Sequence, residues 1–155
     1  MNDQQLCGTW TGAYTYGNEY DVPLKGKMVT FEMKLTIVNG VITGECIDAE
    51  STKHFKAPAI IEGSMGDDHS IKFVKRYPHY WQHEKSGQRF LPKLPSQEIY
   101  YSGAFVNNEF EGEWEIVTVL VDAQGEMVTY RGYGSWGMKR LVDKVDKAMG
   151  KGSGQ

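Results

Sequence analysis

Between residues 27 and 40 the chain reads KMVTFEMKLTIVNG, and Val29, Phe31, Met33, Leu35 and Ile37 alternate with Thr30, Glu32, Lys34 and Thr36. Apolar residues at every second position are the signature of a strand with one face in a core and the other in water. NEFEGEWEIV, at 108–117, repeats the pattern: Phe110, Gly112, Trp114 and Ile116 share one side, and Glu111, Glu113 and Glu115 the other. Charges so spaced need partners to be buried, so the second side faces solvent. The same period predicts strands over 8–16, 27–38, 41–49, 57–63, 69–77, 97–106, 109–121 and 127–139.

Short connections with turn chemistry join most of these segments. Asn39-Gly40 is a preferred hairpin pair, and Gly66-Asp67-Asp68, Asn107-Asn108 and Ala123-Gln124-Gly125 are further turn signals. Consecutive hairpins make a meander, and a sheet with one apolar face buries it by closing or by folding into a sandwich. Glycines inside strand patterns, such as Gly12, Gly103, Gly112 and Gly132, suit a sharply coiled sheet and favour closure. The expected fold is all-β: an eight-stranded antiparallel up-and-down barrel over residues 1–140. A short C-terminal helix over 141–150 carries Leu141, Val145 and Met149 on one face, and 151–155 form a flexible tail.

Alternation also predicts an interior: Trp10, Tyr14, Phe31, Met33, Leu35, Phe73, Tyr101, Phe105, Trp114, Tyr130 and Trp136 point inward. Eight strands enclose a space that side chains fill or that holds one small ligand. Large rings argue for filling, and glycines beside them argue for gaps next to flat walls. The candidate ligand-binding residues are Trp10, Tyr14, Phe31, Met33, Tyr101, Trp114, Tyr130 and Trp136.

Composition narrows the partners. The 155 residues carry 17 basic and 20 acidic side chains, a formal charge of -3, which gives no general attraction for nucleic acid. No apolar run is long enough to cross a bilayer as a helix, and the N-terminal residues lack a secretory signal pattern, so a cytoplasmic protein without membrane contact is expected. Cys7 and Cys46 make neither a disulfide framework nor a Cys-x-x-Cys motif, and no cofactor motif is present.

Residues 76–85, RYPHYWQHEK, hold the densest chemistry. Were they a strand, His79 and His83 would be about 13 Å apart at roughly 3.3 Å per residue, too far to share an ion. A helical turn would bring them together, but no third ligand follows at a recognisable spacing, so no metal site is expected. The stretch from Pro78 to Ser96 is long for a loop, and its large rings need apolar surface to cover. His79, Tyr80, Trp81 and His83 are the candidate lid residues, with completion of the core at one barrel end as the alternative. Lys75 and Glu45 form a buried ion pair if both point inward, and are two solvated charges otherwise. No nucleophile motif or other catalytic constellation stands out.

GTW at 8–10, GVITGECID at 40–48 and IYYSGAFVNNEFEGEWEI at 99–116 resemble elements of the calycin superfamily, which includes lipocalins and avidins. The likeness implies a small β-barrel with an internal ligand site. Avidin's set of biotin-binding hydroxyls and amides does not transfer residue by residue, so biotin binding is not implied. Avidin-like assembly through outer faces implies a possible homo-oligomer, for which Tyr100, Ala104 and Val106 supply an outward apolar face. The expected function is binding of a small, mainly apolar molecule without catalysis. The alternatives are an interaction module with a solid core and a barrel enzyme acting on an enclosed ligand.

Overall fold

The computed structural model describes residues 2–84, 87–121 and 123–141. A helical turn, α1 (Asp3–Leu6), precedes β1 (Gly8–Tyr16), β2 (Met28–Val38), β3 (Val41–Asp48), β4 (Ala59–Met65) and β5 (Ser70–Arg76). Then follow β6 (Tyr80–Glu84), β7 (Gly87–Leu91), β8 (Ile99–Val106), β9 (Glu109–Val121) and β10 (Met127–Arg140). Eight of these strands close into an antiparallel barrel in the order β1-β10-β9-β8-β5-β4-β3-β2, the meander that the alternation predicts. Closure is made by β1, which pairs with β2 on one side and β10 on the other.

Alternation sets the interior. Along β2 every second residue from Val29 to Ile37 is buried and those between are exposed. The close approach of β8 and β9 requires glycine: Gly103 and Gly112 are register partners, and a Cβ on Gly112 would lie 1.8 Å from the carbonyl oxygen of Ser102. On the outer surface Tyr100, Ala104 and Val106 face away from the core.

One end of the barrel is plugged by α1. Asn2 and Gln5 form a reciprocal capping box that starts the turn, and Leu6 is driven into the core. Trp10 lies over it, donating from Nε1 to the Leu6 carbonyl at 2.9 Å, and packs against Phe105 and Phe110. Four residues are too few to display a helical period, so the apolar pattern gave no sign of this plug. The helix expected over 141–150 and the tail over 151–155 lie outside the described residues, apart from Leu141, which is exposed and non-helical.

Two features shape the opposite end. The stretch after β5, expected as a long loop, holds the β6–β7 hairpin, a separate two-stranded sheet. In addition, β9 and β10 outrun their neighbours: β8 ends its pairing at Ile99 opposite Ile116, and β1 at Tyr16 opposite Gly134. Beyond those points β9 and β10 pair only with each other and form an arm past the barrel rim. Among the described residues no helix is long and apolar enough to cross a membrane.

Replacing Gly112 by valine places a branched side chain against the backbone of β8. Urea unfolding of Gly112→Val is expected to show a loss of at least about 3 kcal/mol, the upper part of the overpacking range. The outward-facing Ser102→Ala is expected to change stability by less than about 0.5 kcal/mol.

Candidate functional site

The inward parity of β5 runs Ile71, Phe73, Lys75, so a lysine is delivered into the barrel, where it is 1 % exposed. Inward parity on β3 likewise runs Ile42, Gly44, Cys46, Asp48. Lys75 Nζ meets Asp48 Oδ2 at 2.7 Å, and the Tyr77 hydroxyl donates to the same oxygen at 2.6 Å. The other oxygen, Oδ1, accepts from the backbone N–H groups of Glu50 and Ser51 and from the Ser51 hydroxyl. One carboxylate therefore neutralises the lysine and also fixes the turn after β3. The ammonium lies 4.9 Å from the ring centroid of Tyr14 and 4.8 Å from that of Tyr77.

Burial by itself would raise the Asp48 pKa, but the Lys75 charge and the hydrogen bonds from Lys75, Tyr77 and Ser51 outweigh it and hold the carboxyl below its usual range. Burial would by itself discharge Lys75, yet the ionisable groups around it, Cys46 first and then Tyr101, Tyr77 and Asp48, keep its pKa above the ordinary lysine value. The pair is ionised and internally satisfied.

The turn that Asp48 fixes carries a second buried carboxylate, Glu50. The hydroxyls of Tyr14 and Tyr16 both donate to its Oε1, while Oε2 lies 2.6 Å from Nε2 of His83 on β6. Tyr16 and His83 also touch each other at 2.9 Å. Burial again pushes the carboxyl up, and the hydrogen bonds from His83, Tyr14 and Tyr16 more than reverse it, so Glu50 is depressed below its usual range. Both tyrosines are pushed well above the ordinary phenol value, Tyr14 by burial and then by Tyr77, Asp48 and Glu50, Tyr16 by burial and then by Glu50, and both remain hydroxyl donors.

Above Glu50 the barrel opens into a cavity of about 400 Å³. Its walls are Tyr14, Tyr16, Tyr101 and Trp114 from the barrel, Tyr20 from the β1–β2 connection and Trp81 from the hairpin. Tyr20 can lie across the wall because Gly132 has no side chain; a Cβ there would come within 1.8 Å of its hydroxyl. Tyr101 stacks on Phe73 at 4.7 Å and is 4 % exposed. Among the described residues its hydroxyl has no hydrogen-bond partner, yet none of their buried side-chain polar atoms is left unpaired. The hydroxyl therefore opens onto the cavity. The hairpin forms the roof: Trp81 is buried, stacks on Phe90 at 5.7 Å and meets the Tyr77 ring edge-on. Gln88 donates to the Glu50 backbone carbonyl and His83 engages its carboxylate, so both hairpin strands are tied to the same residue.

The eight residues expected to touch a ligand are divided by this geometry. Tyr14, Tyr101 and Trp114 line the cavity. Trp10, Phe31, Met33 and Trp136 do not; they are buried below it, and Trp136 Nε1 donates to the carbonyls of Ser102 and Glu113. Tyr130 has the inward parity and borders the cavity, but it lies on the projecting arm and is 57 % exposed at the rim. Of the lid residues, Tyr80, Trp81 and His83 line the cavity, whereas His79 packs outside it against Phe55 at 4.5 Å.

Glu45 is exposed, which removes it as the partner of Lys75; the inward residues of β3 are even-numbered, and Asp48 takes that place. Alternation could have found Asp48, Tyr16 and Tyr77, which continue the inward parity of β3, β1 and β5. Glu50 and Tyr20 sit in connections, where the period carries no information. Among the described residues no group of three or more His, Cys, Asp or Glu side chains is placed to hold a metal ion.

No family model matches the chain, and no curated protein matches it in sequence. Among solved structures the chain is similar to apo Bradavidin2 (Form B), with a TM-score of 0.43 and 13% identity, over 82% of this chain and 94% of that one.

Two outcomes follow from the buried charges. Lys75→Met strands Asp48 in the core, and guanidinium unfolding is expected to show a loss of about 3–5 kcal/mol. Adding Asp48→Asn is expected to recover at least about 1 kcal/mol of it, because the amide oxygen still accepts from the turn without carrying a charge. Second, native pKa values below the unfolded ones stabilise the protein above the ordinary carboxyl range, and this stability is lost as pH falls through the native values. Calorimetric Tm is expected to fall steeply below about pH 4, and less steeply in Glu50→Gln.

Proposed function

We propose that the protein binds a small, mainly apolar molecule at the open end of the barrel, beneath the β6–β7 hairpin, and holds it without chemical change. The observation that carries this reading is the cavity itself. Its volume of about 400 Å³ lies within the range of small-molecule pockets, and nine tyrosine and tryptophan residues are among those that line it. The Tyr101 hydroxyl, facing the cavity without a protein partner, offers an orienting hydrogen bond. In this reading Trp10, Phe31, Met33 and Trp136 are the floor on which the site rests, and the barrel is solid below and hollow above.

Binding is favoured over catalysis by the state of Glu50. A general base works best with a pKa near the working pH, and here three donors keep the carboxylate ionised and its basicity low. The hairpin suits a gate as well as a roof. It is a separate sheet tied to the barrel through Glu50, and its buried Trp81 lines the cavity.

Titration with neutral apolar fluorophores such as Nile red and N-phenyl-1-naphthylamine is expected to give saturable one-to-one binding with a change in tryptophan emission. Trp81→Ala is expected to weaken it at least about tenfold, the scale of losing one buried aromatic contact. Absence of saturable binding by every probe, or affinity unchanged in both Trp81→Ala and Trp114→Phe, would overturn the reading.

A further inference from the structure

Lower in the barrel the protein already holds an ammonium ion of its own. Lys75 Nζ is 2.7 Å from a carboxylate oxygen and 4.9 and 4.8 Å from two tyrosine ring centroids. A counter-charge and ring faces together are what a desolvated organic cation requires. The cavity above repeats the anionic and aromatic parts of this arrangement. Glu50 lies at its base, and its negative charge is hydrogen-bonded by two hydroxyls and an imidazole. Tyr14 belongs to both levels, with its ring beneath Lys75 and its hydroxyl on Glu50.

The rings beside Glu50 form a corner and not a stack. Tyr16 meets Tyr20 at 4.8 Å and 84°, and meets Trp114 at 5.5 Å and 88°, while Tyr20 and Trp114 are 6.1 Å apart. Tyr16 stands steeply against both neighbours while Tyr20 and Trp114 are tilted at 41°, and rings so set border a compact head group from more than one side, whereas a stack favours a flat neutral ring. The charges around the cavity have the same bias. Glu19, Asp21 and Glu50 line it, against Arg131 and His83. Arg131 is paired with Glu115 at 2.6 Å on the projecting arm, and no lysine lines the cavity among the described residues.

Building on the binding reading above, we infer that the ligand is an organic monocation: a flat apolar body carrying an amine or quaternary ammonium head, the head seated by Glu50 among Tyr16, Tyr20 and Trp114. A low-dielectric cavity magnifies the attraction between this head and Glu50, and makes an anionic ligand of the same shape unfavourable. The Tyr101 hydroxyl and Trp81 are left for the body of the ligand.

Matched triples on benzyl, indole and naphthyl bodies test this by calorimetry, each body carrying an ammonium, a hydroxyl or a carboxylate on the same short linker. On at least one body the ammonium member is expected to bind at least about tenfold more tightly than the hydroxyl member, and the carboxylate member least tightly. Glu50→Gln is expected to abolish that preference, bringing the ratio of ammonium to hydroxyl affinity to within about threefold of one. Should Glu50→Gln fail to fold, Tyr20→Leu, which removes a ring outside the Glu50 hydrogen bonds, is expected to weaken the ammonium member more than the hydroxyl member. Hydroxyl or carboxylate members binding as well as or better than the ammonium on every body would overturn the cation assignment and leave the apolar-ligand reading standing. Failure of every member, together with every neutral fluorophore, would overturn both.

Discussion

Asp48 carries a constraint on which both the barrel interior and the site depend. Its two oxygens face different tasks: Oδ2 holds Lys75 and Tyr77, and Oδ1 holds the backbone of the turn after β3. A lysine with 1 % exposure is tolerable only because its counter-charge is itself fully hydrogen-bonded. The same turn places Glu50 at the base of the cavity, so the internal ion pair and the floor of the site form one connected structure.

The two ends of the barrel solve opposite problems. At one end α1 inserts Leu6 beneath Trp10, and Phe105 and Phe110 complete a dry, solid floor. At the other, the strands stop at different heights. The β9–β10 arm extends past the rim, the β1–β2 connection contributes Tyr20, and the β6–β7 hairpin leans over from β5. The cavity exists because these three pieces surround a space that the interior side chains do not fill. The polar groups around Glu50 are paired to one another, while the Tyr101 hydroxyl has no hydrogen-bond partner among the described residues.

Depressed carboxyls and elevated tyrosines describe an interior whose charge pattern is fixed over a wide range of pH. Such a pattern suits recognition better than proton transfer, since a group that keeps its proton state presents a constant field to whatever enters. Negative charge predominates at the mouth, and rings set at steep angles flank it. Shape and electrostatics thus favour the same class of occupant.

The alternation of apolar and polar residues was enough to predict the eight barrel strands and their meander, because a one-residue slip along β2 or β9 would carry a whole apolar face into water, and the glycines within those strands favoured closure over a sandwich. It also determined that Tyr14, Tyr101 and Trp114 point inward. Parity alone, however, says which face a side chain occupies and nothing about its height along the barrel. Trp10 and Tyr130 have the same inward parity, yet one lies in the floor and the other stands at the rim. Height is set by register between strands distant in sequence and by where each strand ends. The partner of Lys75, the seat of Glu50 in a turn, and the meeting of His83 with Tyr16 across 67 residues were decided by tertiary structure, since each depends on strands brought together only when the barrel closes.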